Sequence, residues 1–300
     1  MATSRLKWLR TAGKVLVTAA AIAFIGYKLS VGEVKECVLR ADAVWLFGAL
    51  AVTPVCILLK AVRWWLLTKE VEPAMGFGRA LRSLLAGISL AAVTPGGVGE
   101  LARGLYADSD KGYELTSMAL IDKLLDVTGL VVAGAAGLVL FFGYFWILPV
   151  VLVAVLLVWS NFAWLAARLG GARLLGRFGG GLSSVRRGTL VRCLGLAVLF
   201  FAVYYFQGWM ALRSYEPVGE RAAALLPVTT AAKIVPAFLG IGPREFVAKH
   251  LLPHAGVSDA AAVLGVFSHY VLVTLVPSLF GALWLGRLRL PAKAGTKDEG

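Results

Sequence analysis

Long apolar runs alternate with short basic patches along this chain, and the length of the runs sets the first expectation. A helix needs roughly 20 apolar residues to cross the ~30 Å hydrocarbon core of a bilayer. Runs of that order lie at about residues 13 to 30, 43 to 62, 115 to 142, 144 to 167, 190 to 212 and 258 to 286. Each predicts a spanning helix. Two further apolar stretches are interrupted. Leu84 to Tyr106 is broken by Thr94-Pro-Gly-Gly-Val-Gly-Glu100, and Ala222 to Leu252 by Pro236-Ala-Phe-Leu-Gly-Ile-Gly-Pro-Arg-Glu245. Proline removes a backbone donor and glycine has little helical preference, so each cluster is expected to end one short helix and start another.

Whether these broken stretches cross the membrane or turn back is decided by the positions of Lys and Arg, which accumulate in cytoplasmic loops. With the N-terminus inside, the second span returns at Arg63, Lys69, Arg79 and Arg82. Were 84–106 to cross fully, the patch holding Arg168, Arg173, Arg177, Arg186, Arg187 and Arg192 would lie outside. If it enters and leaves on the cytoplasmic side, that patch lies inside, and so do Arg287, Arg289 and Lys293. The expected architecture is an all-α polytopic membrane protein, with about six spans and two opposed re-entrant hairpins. Residues 1–300 form one membrane domain. A first half, 43–142, carries the re-entrant segment 84–106, and a second, 190–286, carries 222–252. The two halves have opposite orientation, as in an inverted repeat.

Composition supports a membrane protein and narrows little else. Hydrophobic residues make up 59% of the chain and charged residues only 16%, below the ~25% of soluble domains. The net charge of +13 is spread over loops rather than gathered on one face, so no nucleic-acid partner is expected. Cys37, Cys56 and Cys193 show no pairing or metal-knuckle spacing. His250 and His254 have no evident third ligand, so neither a metal nor a cofactor is expected. The charged N-terminus resembles a signal peptide, but Tyr27-Lys28-Leu29-Ser30 makes a poor cleavage site, so a retained first span is expected. Trp64 and Trp65, beside Arg63, read as an interfacial belt.

The two breaks also share a spacing. Gly97-Val-Gly99 and Gly240-Ile-Gly242 each stand 18 residues before the following span, so an offset of 143 relates the halves. Charge inside a span costs about 2.5 to 3.5 kcal/mol, which makes intramembrane ionisable residues functional candidates. Asp122, Lys123 and Asp126 meet that description. Under the offset Asp126 corresponds to His269, and the two are expected either to form a proton-sensitive pair or to join two spans as polar glue. In the hairpins, Glu100 and Arg103 follow one glycine pair, and Arg244 and Glu245 the other. Helices starting just after Gly99 and Gly242 would present backbone N–H groups to an anion, with Arg103 and Arg244 as its charged partners. The alternative is an internal Glu–Arg pair pinning each tip. Lys233 is a weaker candidate that would snorkel outward.

The stretches Thr94-Pro-Gly-Gly-Val-Gly-Glu-Leu-Ala-Arg103, Asp122-Lys-Leu-Leu-Asp126 and Gly240-Ile-Gly-Pro-Arg-Glu245 resemble the lysylphosphatidylglycerol synthase transmembrane-region family over roughly residues 10 to 290. That family includes the flippase domain of the multiple peptide resistance factor. It departs at Lys123, where arginine is commoner, and before Gly240, where small polar residues are. The resemblance implies a lipid flippase or transporter of the cytoplasmic membrane rather than an enzyme, and the charge pattern is expected to leave both termini in the cytoplasm. No aminoacyl-transferase segment is expected here. The substrate expected is a phosphate-bearing phospho-, polyprenyl- or glycolipid. Its binding residues would be Gly97, Gly99, Glu100, Arg103, Gly240, Gly242, Arg244 and Glu245. Asp122, Lys123, Asp126 and His269 would be the coupling residues. The alternatives are a membrane-embedded lipid-modifying enzyme and a non-transporting partner of a lipid-synthesis complex. A homo-oligomer or a lipid-synthesis enzyme is the expected protein partner.

Overall fold

The computed structural model describes residues 31–161, 185–234 and 242–285, and within them the chain is helical with no strand. A short helix, α1 (Val31–Leu39), leads into α2 (Ala43–Val71), whose N-cap Asp42 accepts from the Val44 N–H. Then come α3 (Phe77–Val93), a 3-10 helix (Pro95–Tyr106), α4 (Gly112–Phe142) and α5 (Ile147–Ser160). In the second part α6 (Arg187–Arg213) and α7 (Glu220–Ala231) are followed by a 3-10 turn (Ala232–Ile234) and α8 (Pro243–Leu251). The last rod, Asp259–Leu285, joins α9 (Asp259–Tyr270), a π turn (Val271–Leu275) and α10 (Val276–Leu285). Pro277 accounts for the π turn, because it offers no N–H to the Val273 carbonyl four residues earlier.

Four of these helices are long and apolar enough to cross a membrane: Ala43–Val71, Gly112–Phe142, Arg187–Arg213 and Asp259–Leu285. The protein is therefore an all-α polytopic membrane protein. Of the other expected spans, 13–30 lies outside the described residues, and 144–167 is described as the 14-residue apolar helix α5 up to Ser160. The largest departure is at α2, which runs on to Val71 instead of ending near residue 62. Arg63 therefore lies eight residues, about 12 Å, inside the helix rather than in a loop.

The first broken stretch folds back on itself. Gly99 lies against the Leu90 carbonyl, and a Cβ added at Gly87 would meet the Arg103 side chain, so α3 and the 3-10 helix run antiparallel. Thr94 fastens the tip, its hydroxyl donating to the Leu90 carbonyl at 2.7 Å and accepting from the Gly99 N–H at 2.8 Å. Gly97 makes the turn with φ of +65°, a value that favours glycine. The expected helix start just after Gly99 is corrected here: the helix starts at Pro95 and is 3-10 throughout. Its 12 residues rise about 24 Å in that form, matching the ~25 Å of the 17-residue α3. An α-helix of the same 12 residues would rise only about 18 Å. Both arms thus return to one end of the bundle, where Lys111 donates to the Val71 carbonyl and Arg79 to those of Ala74 and Asp108. At the opposite end Asp42 donates its N–H to the Ser214 carbonyl, and Ser258 donates to Glu216, so α7 and α8 start and finish there.

The offset of 143 carries α2 onto 186–214, α3 onto 220–236 and α4 onto 255–285, against observed helices at Arg187–Arg213, Glu220–Ala231 and Asp259–Leu285. Packing is reciprocal as well. Gly281 of α10 lies against Leu85 and Ser89 of α3, while Gly137 of α4 lies against Ala224 and Val228 of α7. The Ser89 hydroxyl also donates to the Ser278 carbonyl at 2.6 Å. The α3 helix is thus held by α10 and the α7 helix by α4. Alanine at Gly281 or Gly137 must force these helices apart, and each should cost about 1 to 3 kcal/mol. Thermal unfolding of the detergent-solubilised protein should show a lower midpoint for both variants. Gly195→Ala, whose added Cβ meets nothing, should not lower it.

Candidate functional site

Where α2, the 3-10 helix and α4 meet, a closed cluster of charges lies inside the bundle. Arg63 stands at its centre, 1% exposed, its Nε donating to Asp122 Oδ1 and its Nη2 to Asp126 Oδ1, both at 2.5 Å. The spacing of four places both carboxylates on one face of α4, so a single guanidinium spans them. Arg103 Nη2 donates to the other Asp122 oxygen and to the Ala119 carbonyl, while its guanidinium lies over Trp64, 4.2 Å from the ring centroid. Trp64 is fully buried and donates its Nε1–H to Ser83 Oγ at 2.9 Å. It is a core residue and not part of an interfacial belt.

Glu100 and Lys60 link this cluster to a cavity of about 310 Å³. Lys60 Nζ reaches Glu100 Oε1 at 2.9 Å and Asp126 Oδ2 at 3.1 Å, and Lys123 Nζ reaches Glu100 Oε2 at 2.7 Å. All four of these residues line the cavity. From the second part of the chain come Lys233, whose ammonium lies 5.5 Å from the Tyr204 ring centroid, and Arg244, 4.4 Å from that of Tyr270. Four cations and two carboxylates thus line the cavity. The rest of the wall is largely apolar, with Ile57, Ile88, Val127, Leu130, Phe200 and Val273.

The chain matches the family model for the lysylphosphatidylglycerol synthase transmembrane region over residues 11–281. It belongs to that family. Comparison with curated proteins and with solved structures gave no match. Membership places the chain among membrane proteins of lipid-related function.

The candidate residues fall into groups that their spacing did not separate. Gly97, Glu100, Lys123, Asp126 and Arg244 line the cavity. Arg103 and Asp122 are turned into the buried cluster, so Arg103 occupies the internal-pair position. Gly99 packs on Leu90, and Gly240 lies outside the described residues. Gly242, with φ of +116°, does precede a helix, α8. Its N–H, however, is taken by Glu245 Oε2 at 2.7 Å, and the next residue, Pro243, has none. Glu245 also lies 3.6 Å from Arg244, so it caps the helix start where an anion was expected.

Asp126 and His269 do not pair. Asp126 is held by Arg63 and Lys60, while the His269 ring packs on Tyr204 at 4.4 Å between centroids. Lys233 is exposed and lines the cavity. Lys60 and Arg63 were missed as site residues, although two cations three apart in an apolar run were a visible signal. Removing Asp122 takes the close carboxylate from buried Arg103 and leaves buried Arg63 with Asp126 alone, and breaking such a pair costs about 3 to 5 kcal/mol. Asp122→Ala should therefore yield little folded protein by size-exclusion chromatography, whereas Lys233→Ala, at the cavity wall, should purify as the parent does.

Proposed function

We propose that this chain moves a phosphate-bearing lipid across the cytoplasmic membrane, holding the headgroup in the central cavity while the hydrocarbon chains stay in the bilayer. The observation that carries the reading is the excess of cations in and directly behind a largely apolar chamber: Lys60, Arg63, Arg103, Lys123, Lys233 and Arg244 against Glu100, Asp122, Asp126 and Glu245. An anionic headgroup would balance that excess, because uncompensated charge in a water-poor site is costly. Arg244 and Lys233 are its first contacts on one side. Lys60 and Lys123 meet it from the other. Phospholipids, polyprenyl phosphates and phosphorylated glycolipids all present this chemistry.

The proposed route depends on two re-entrant hairpins that enter from opposite faces, with 43–142 and 190–286 as the halves of an inverted repeat. Orientation follows from the end bearing Lys69, Arg79, Arg82, Lys111, Arg186 and Arg187, which is placed in the cytoplasm together with both chain termini. The backbone correspondence supports this alternation. The charges, by contrast, do not repeat: Lys60 and Arg63 map onto Val203 and Phe206, and Glu100 onto Pro243. Such asymmetry suits a cavity whose two access routes differ in their hold on the headgroup. No catalytic step is needed for this role, and the protein acts as a carrier.

Reconstitution tests both parts. In proteoliposomes carrying fluorescently labelled phosphatidylglycerol, Lys233→Ala with Arg244→Ala should slow loss of headgroup protection from an external quencher at least about tenfold. Rates equal to the parent's would refute the cation roles. Cysteines placed at Asp110 and Arg186 should label from one side of the membrane, and cysteines at Asp42 and Glu220 from the other. Labelling of 110 and 186 from different sides would refute the hairpin topology.

A further inference from the structure

Glu100 stands where the hairpin tip, the cavity and the buried cluster meet. Its two oxygens are held by lysines from different helices, Oε1 by Lys60 of α2 at 2.9 Å and Oε2 by Lys123 of α4 at 2.7 Å. Lys60 keeps a second carboxylate, Asp126, at 3.1 Å. Lys123 also overhangs the turn, with Nζ 3.6 Å from the place of a Cβ on Gly97. One carboxylate thus bridges two of the four cavity cations and ties the tip of the hairpin to α4.

A phosphoryl group resembles that carboxylate as a ligand, since both present two anionic oxygens on one central atom to paired donors. We infer that Glu100 is an internal stand-in for the lipid phosphate, which takes Lys60 and Lys123 from it on entering the cavity and so releases the hairpin tip from α4. The inference rests on the lipid-phosphate reading of the cavity. A displaced Glu100 needs another partner, because an unpaired buried carboxylate is costly. Arg103 supplies it. Its Nη1 is buried, has no hydrogen-bond partner among the described residues, and lies 3.7 Å from Glu100 Oε1. Meanwhile Nη2 of the same guanidinium stays anchored on Asp122. The exchange therefore trades two lysine contacts for one arginine contact already within reach, and no charge is left alone.

The test uses the full chain in phosphatidylcholine nanodiscs, with phosphatidic acid as the lipid probe and glycerol 3-phosphate as the soluble one. A fluorophore on Val98→Cys, in a Cys37→Ser background, reports on the tip, where Val98 is 60% exposed. With Glu100 in place, phosphatidic acid should make the label more accessible to an aqueous quencher. Glu100→Gln should show that accessibility without added lipid and bind phosphatidic acid about tenfold tighter, the gain from no longer breaking one charge-assisted hydrogen bond. Glu100→Asp, which keeps the charge but shortens the reach, should tighten binding by less, so the series can be read even if Glu100→Gln folds poorly. Unchanged or weaker binding in both variants, with binding still lost in Lys233→Ala plus Arg244→Ala, overturns the role of Glu100 and leaves the cavity reading standing. No binding of phosphatidic acid by the parent protein overturns both. The same label response to glycerol 3-phosphate at equal concentration overturns the lipid as the source of the phosphate.

Discussion

Buried charge in a helical bundle persists only where it is compensated, and in this protein the compensation is concentrated on Arg63, Arg103 and Asp122. Each of the three is at most 1% exposed, and each comes from a different element: α2, the 3-10 helix and α4. The cluster fixes the depth at which the first hairpin sits against two long helices. If the 3-10 helix slid along α4, Arg103 would lose Asp122 and its place over Trp64 together. Such a network is weak evidence for net stability, since its desolvation cost is large. Its consequence is register, and register places Glu100 and Lys123 at the cavity wall.

From that anchor the molecule divides into a rigid side and a labile one. Arg63 and Arg103 are enclosed, while Lys60, Lys123 and Lys233 face a chamber lined on its remaining walls by apolar side chains. Arginine suits the enclosed positions, where a planar fork reaches two carboxylates at once, and lysine suits positions where a flexible point charge can change partners. The distribution of the two residue types follows this division, apart from Arg244 at the start of α8. Glycine serves a different end: Gly137 of α4 lets α7, and Gly281 of α10 lets α3, lie directly on a long helix. The elements on either side of the cavity are thereby interlocked rather than merely adjacent.

The apolar runs and the Gly-Pro breaks by themselves determined the all-α membrane fold, the positions of the long helices and the 143-residue correspondence, because these depend on length, hydropathy and local backbone preference. Family membership was legible in the short motifs for the same reason, as they are contiguous. Local patterns did not show that α2 continues to Val71, since Arg63, Lys69 and Glu70 resemble a loop boundary until Asp122 and Asp126 are seen to take the guanidinium. Nor did they show the partner of each charge. Arg103 and Arg244 occupy similar places after their glycines, yet one is enclosed against tryptophan and aspartate and the other faces the cavity. Asp126 and His269 correspond by offset but are held by different neighbours. Which charges meet depends on helix rotation and interhelical depth, properties that arise only when the elements pack, and these alone decided the composition of the site.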